Sequence, residues 1–255
     1  MGMIVQVYEI QTPEEAEKCI ELGVDHIGSV VLSLEEWRVP SIKEVIRLSR
    51  GTETRNSLII LFREPEAIFR ALDYYQPHYV HFCDSLIDPG GKHADLDSIF
   101  SMQLTLKEKF PEIPIIRSIP IPNKKNSADF PALTLARMLE PASDVFLIDT
   151  WLENEPVQGF IGITGETSDW SMAKDLVLQS NIPVILAGGL SPENVYKAVT
   201  EVIPHGADTC TGTNSVDAKG RAVRFKKDFK RVSAFVKEVR RAEKDISFGQ
   251  VDIPG

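Results

Sequence analysis

Residues 183–194 combine three features that together favour an anion. Val184 to Ala187 is a short apolar run of the kind that forms a strand buried on both faces. It ends in Gly188-Gly189, where the backbone can turn sharply and come close to a ligand. Ser191 then reads as a helix cap with Pro192 at the first helical position. The amides of a helix N-terminus facing a glycine turn suit a phosphate. Asp208-Thr-Cys-Thr-Gly212 repeats the strand-then-glycine pattern one unit later. Gly188, Gly189, Thr211 and Gly212 are therefore the phosphate-binding candidates; the other reading is turns that only shape the chain.

Three further features carry possible chemistry. Val145-Phe-Leu-Ile-Asp149 delivers a carboxylate at the end of an apolar run, where low-dielectric walls would raise its pKa and suit it to general-acid work. A helix cap or loop brace is the alternative for Asp149. Arg38, after Glu35-Glu-Trp37, is either a bidentate grip on a substrate carboxylate or half of a surface ion pair. Gly162-Ile-Thr-Gly165 leads into Asp169-Trp170 and can fold over a ligand, offering Gly162, Thr164 and Gly165 as contacts, or it is simply a long connection.

These residues need a scaffold, and the chain supplies strands alternating with helices. Ile4 to Ile10, His26 to Leu32, Ser57 to Phe62, Tyr79 to Cys83, Pro114 to Ile121 and Val145 to Thr150 read as strands ahead of the two already described. Thr12-Pro-Glu-Glu15 is a capping box opening the first helix. Further helices are expected over Ser41 to Arg50, Glu64 to Tyr75, Asp95 to Phe110, Phe130 to Leu139 and Asp169 to Gln179, then after Ser191, and from Lys226 to Lys244. Asp84 to Ala94, with Pro89-Gly-Gly91, and Pro122 to Ser127 read as polar loops. Strict alternation implies a parallel sheet with right-handed crossovers. Eight units close into a (β/α)8 barrel, an α/β fold of about this length. No G-x-G-x-x-G follows the first strand, against a dinucleotide fold. A single barrel over residues 1–245 with a polar tail over 246–255 is expected.

Bulk properties agree. The chain has 255 residues, 43% hydrophobic and 25% charged, with net charge −9. No basic stripe suggests nucleic acid, and no apolar run approaches a membrane span. Cys19, Cys83 and Cys210 are too scattered for a disulfide framework or a zinc site. A cytoplasmic protein without metal or cofactor is expected, a monomer or homodimer.

Several segments resemble the phosphoribosylanthranilate isomerase family of tryptophan biosynthesis. Ile185-Leu-Ala-Gly-Gly-Leu-Ser-Pro-Glu-Asn-Val195 looks like its seventh-strand signature, and Gly162-Ile-Thr-Gly165 with Asp169-Trp170 like its G-G-T-G-x-x-F-D-W loop, Ile163 and Ser168 departing. Leu147-Ile-Asp149-Thr matches the strand end whose Asp is the family's general acid. Asp208-Thr-Cys-Thr-Gly212 and Lys227-Asp228 match D-V-S-S-G and K-D. Arg38 falls where the family's arginine holds the anthranilate carboxylate. The resemblance implies a small phosphorylated sugar as the partner, and an Amadori rearrangement in which Asp149 protonates the ribose ring oxygen and a base removes the C2′ proton.

The first strand departs. The family's K-I-C-G-I-T, whose cysteine is the base, corresponds to Gln6-Val-Tyr-Glu-Ile-Gln11. Tyr8 thus stands in the base's place and Glu9 replaces a glycine. A tyrosine with pKa near ~10 is a poor base at neutral pH, and its ring would fill space meant for the sugar. The fourth strand, Q-L-H-G in the family, is His81-Phe-Cys-Asp84. Glu9, Cys83, Asp84 and His81 are the candidates for a relocated base. Strand alternation lets His81 and Cys83 both point inward. Core packing or a satisfied polar group is the alternative for each. Beside the isomerase stands the possibility of a barrel that keeps its phosphate grip for another substrate or for binding alone.

Overall fold

Apolar strand faces that cannot meet water on either side dictate the architecture. Eight parallel strands pair in chain order and close on themselves, with helices on the outside. The structure is a computed structural model and describes residues 2–87, 94–123, 129–247 and 249. The strands are β1 (Ile4–Val7), β2 (His26–Val31), β3 (Arg55–Ile60) and β4 (Tyr79–Phe82), followed by β5 (Ile115–Pro122), β6 (Val145–Trp151), β7 (Val184–Leu186) and β8 (Gly206–Thr209). The helices between and after them are α1 (Pro13–Glu21), α2 (Pro40–Ser49), α3 (Pro65–Tyr75) and α4 (Leu96–Lys109), then α5 (Ala132–Leu139), α6 (Trp170–Gln179), α7 (Val195–Val202) and α8 (Phe229–Ser247). Closure comes from β1 against β8, with Ile4 opposite Gly206 and Gln6 opposite Asp208.

Local chemistry explains most boundaries. Thr12 caps α1 by accepting from the Glu15 amide, and the Glu15 carboxylate accepts in return from the Gln11 amide, one residue ahead of the cap. Asp169 caps α6 through the Ser171 amide. Between barrel and helices lie the large apolar clusters, including Phe146, Ile148, Leu186 and Val199. Inside the barrel, Ile116, Leu147, Ile185 and the Tyr8 ring pack together.

Some expectations are corrected. β1 stops at Val7 because Glu9 takes a left-handed backbone, φ 62°, which ends the strand. Ser191 does not cap α7. Asn194 does so by position, its side chain accepting from the Ser191 amide and donating to the Gly189 carbonyl, so residues 191–194 form a turn ahead of Val195. Lys226 and Lys227 are not helical. An antiparallel hairpin, β9 (Asn214–Val216) with β10 (Ala222–Lys227), precedes α8. α8 itself runs on through Ile246 and Ser247, two residues into the expected tail. Pro89-Gly-Gly91, Lys124 to Ser127 and most of the tail lie outside the described residues. Among the described residues no helix is long and apolar enough to cross a membrane.

Candidate active site at the barrel mouth

The C-terminal strand ends meet in two linked cavities. One, of about 30 Å³, lies between the β7 and β8 turns and is lined by Gly188, Gly189, Thr211 and the loop residues Thr164 and Gly165. The backbone crowds there. A Cβ on Gly189 would sit 2.6 Å from the Glu166 carbonyl carbon, and one on Gly212 2.1 Å from the Leu190 oxygen. Only glycine lets the two turns interlock this closely. Lys197 lies on the rim of the wider surface groove that Gly189 and Gly212 share.

The second cavity, about 60 Å³, sits over the barrel axis and is lined by Tyr8, His81, Cys83, Asp149 and Asp208 among others. The β6–α6 loop roofs it. Phe160 bridges to Asp84, the Ile161 amide donates to the Cys83 carbonyl, and Gly159 accepts from Ser85 and Arg63. Gly162 comes so near Asp149 that a Cβ would stand 2.4 Å from its Oδ2. Asp149 accepts from the Thr150 amide, and burial pushes its carboxyl up to about 6. It lines both cavities.

Tyr8 is held within a polar chain through the barrel interior. Its ring lies against Gly28, where a Cβ would come within 2.1 Å of two ring carbons. Ser57 donates to the Tyr8 oxygen at 2.7 Å, and that oxygen lies 2.6 Å from His81 Nδ1. The phenol proton therefore goes to His81, whose Nε2 proton goes to Ser118 at 2.7 Å. Burial pushes the phenol well above the usual tyrosine range and the imidazole down to about 3. The chain is neutral from end to end. Neither member takes a proton readily.

The other base candidates are also engaged. Burial alone would raise Glu9, but the Phe225 amide and the Arg224 guanidinium outweigh it and hold the carboxyl below its ordinary range. Glu9 is thus the buried anchor of the β9–β10 hairpin. Asp84 pairs with the fully buried Arg117 at 2.7 Å. Cys83 reaches the cavity, as strand alternation suggested, but burial pushes its thiol far up. Arg38 lines neither of the two mouth cavities. Its guanidinium stacks on Trp37 and Tyr74, at 4.6 and 5.6 Å from the ring centres, beside Glu35 and Glu36 in a surface depression.

One mouth residue escaped the sequence reading. Asp208 is the last residue but one of β8, much as Asp149 sits late in β6, and that parallel was the available signal. It is 6% exposed and lines both cavities, and its Oδ1 has no hydrogen-bond partner.

Comparison with known proteins places this site in a lineage. The sequence model of the N-(5′-phosphoribosyl)anthranilate isomerase family matches residues 101–238. A relative of that name from Moorella thermoacetica is 39% identical over 241 residues, covering 94% of this chain and 90% of its own. Among solved structures, N-(5′-phosphoribosyl)anthranilate isomerase from Pyrococcus furiosus superposes with a TM-score of 0.66 at 23% identity, over 94% of this chain and 99% of that one. A phosphoribosyl anthranilate isomerase in complex with reduced 1-(o-carboxyphenylamino)-1-deoxyribulose 5-phosphate gives 0.64 at 21%, with the same coverage. The fold and mouth define a (β/α)8 barrel with a glycine-lined cleft at the C-terminal ends of its strands. The chain belongs to the phosphoribosylanthranilate isomerase family.

Proposed function

We infer that this chain catalyses the aldose–ketose isomerisation of N-(5′-phosphoribosyl)anthranilate, as a cytoplasmic monomer or homodimer. The observation that carries the reading is Asp149, a carboxyl with raised pKa that belongs at once to the axial cavity and to the glycine-lined cleft. A substrate with phosphate at Gly189 and Gly212 would present its sugar to that carboxyl. Asp149, protonated, gives its proton to the ribose ring oxygen, and the C1′–O4′ bond opens to an iminium. Gly162, Thr164 and Gly165 cover the substrate. A cavity of about 60 Å³ holds only one or two waters, so the β6–α6 loop lifts to admit it.

Tyr8 does not serve as the base in this scheme, since its proton is committed to His81. The space its ring occupies beside Gly28 favours a second reading, a barrel that binds a phosphosugar without isomerising it or that acts on a smaller one. The two are separated by following loss of the fluorescent anthranilate adduct with wild type and Asp149→Asn. The isomerase reading expects wild-type turnover and a fall of about 10²-fold or more in kcat, with the melting temperature nearly unchanged. Wild type without turnover, yet stabilised by phosphate, would establish the binding reading instead.

A further inference from the structure

We propose that Asp208 is the general base of this barrel, taking the C2′ proton that a first-strand cysteine takes in the family's motif. The inference rests on the isomerase reading. Its first support is position. Asp208 lies opposite Gln6 across the β1–β8 seam, next to the strand segment that carries Tyr8, and it shares both mouth cavities with Asp149. The second is its unmet valence. At 6% exposure its Oδ1 makes no hydrogen bond; the one neighbouring donor is the Gln6 amide, itself unpartnered, which leaves the oxygen open to a ligand in the cavity. The third is elimination, because Glu9 and Asp84 are ion-paired, Tyr8 and His81 are locked to each other, and burial holds the Cys83 thiol protonated.

Two carboxyls facing one dry cavity resist double ionisation. Burial, then the charge of Asp149, pushes Asp208 up to about 8, while burial pushes Asp149 up to about 6. Between those values the pair holds one proton. That proton rests mainly on Asp208, the higher of the two, and the reactive form is the less populated tautomer with the proton on Asp149 and the charge on Asp208. Asp149 gives its proton to the ring oxygen as the C1′–O4′ bond breaks. Asp208 then takes the C2′ proton, and the C–H electrons form the C1′=C2′ bond while the iminium becomes an amine. Return of the Asp208 proton to C1′ and passage of the C2′ hydroxyl proton to Asp149 give the ketone and restore both groups. The other groups that face the pair are Gln6 on β1 and Tyr8 just after it, Cys83 after β4, Glu155 in the roofing loop, Cys210 after β8 and Lys227 on β10.

The test follows adduct consumption from about pH 5 to about pH 9 in wild type, Asp208→Asn and Asp208→Ala. Wild-type kcat/KM should be bell-shaped, with limbs near 6 and 8. Asp208→Asn should lose about 100-fold or more in kcat and lose the acid limb, leaving only a decline as Asp149 ionises. Asp208→Ala, which opens room for a small acid, should gain at least about tenfold from added formate, a rescue that a structural role would not give. Asp208→Asn within about threefold of wild type, or a bell that survives it, would overturn the assignment of Asp208 alone. So would an Asp208→Ala protein indifferent to formate, which is the deciding result should the Asn variant fail to fold. No turnover by wild type would overturn the isomerase reading and this inference with it.

Discussion

Tyr8→Phe removes one oxygen and nothing else, at a point where that oxygen joins two neighbours. Ser57 and Ser118 are fully buried, Tyr8 is 4% exposed and His81 3%, so water cannot replace what is lost. His81 Nδ1 is left as an orphan acceptor, at about 1–3 kcal/mol, and Ser57 loses its acceptor at about 1 kcal/mol. The sum is about 2–4 kcal/mol, a large share of the roughly 5–15 kcal/mol that hold a domain together. For a chain of this size the melting temperature should fall by on the order of 10 °C. Urea unfolding should show a lower midpoint with unchanged slope. Turnover per folded molecule should stay within about threefold, since the phenol holds its proton throughout. His81→Phe combined with Tyr8→Phe should cost less than the two changes added, because the double variant removes both partners of the Tyr8–His81 bond at once, leaving only Ser57 and Ser118 to lose theirs. A loss below about 0.5 kcal/mol for Tyr8→Phe, or full additivity, would mean that the polar chain is not formed.

Gly162→Ala sets a methyl 2.4 Å from Asp149 Oδ2 at φ +106°, so the roof must shift. A drop of about tenfold or more in kcat, with about 1–2 kcal/mol lost in unfolding, is expected, and unchanged kcat would refute the contact's role. Glu9→Gln should cost about 1–3 kcal/mol at pH 7 by weakening the anchor to Arg224 and Phe225. Because the folded pKa of Glu9 lies below the unfolded one, that stabilisation is complete above about pH 4.5 and fades as pH falls through the folded value, so the wild-type advantage should vanish in acid. Hydrogen exchange over residues 214–227 should quicken in the same variant; unaltered exchange would count against the anchor.

What could be read without coordinates was whatever the backbone alone decides. Alternation of apolar runs with capped helices fixes the barrel, and glycines after β7 and β8 mark close approach whatever side chains surround them. Asp149 was legible for the same reason, a lone charge at the tip of an apolar strand. The failures share a different cause, contact across the chain. Glu9 seemed a free carboxylate because Arg224, 215 residues away in sequence, cannot be seen beside it. The hairpin that carries Arg224 alternates too weakly to signal a strand, and its charged residues read as the start of a helix. Arg38 had a motif behind it, but the pull of the Trp37 and Tyr74 faces on a guanidinium is invisible in a pattern. Asp208 passed as part of a strand because an orphaned oxygen exists only in three dimensions.

The contact between the Tyr8 ring and Gly28 also constrains how this chain came about. Any side chain at position 28 drives a Cβ into the ring at 2.1 Å, while a thiol at position 8 leaves that space free. From a cysteine ancestor with a larger residue at 28, tyrosine could enter the first strand only after glycine had been accepted there. Once tyrosine arrived, glycine could no longer be lost. The two positions are therefore coupled, and relatives carrying an aromatic ring just after β1 should carry glycine opposite it on β2.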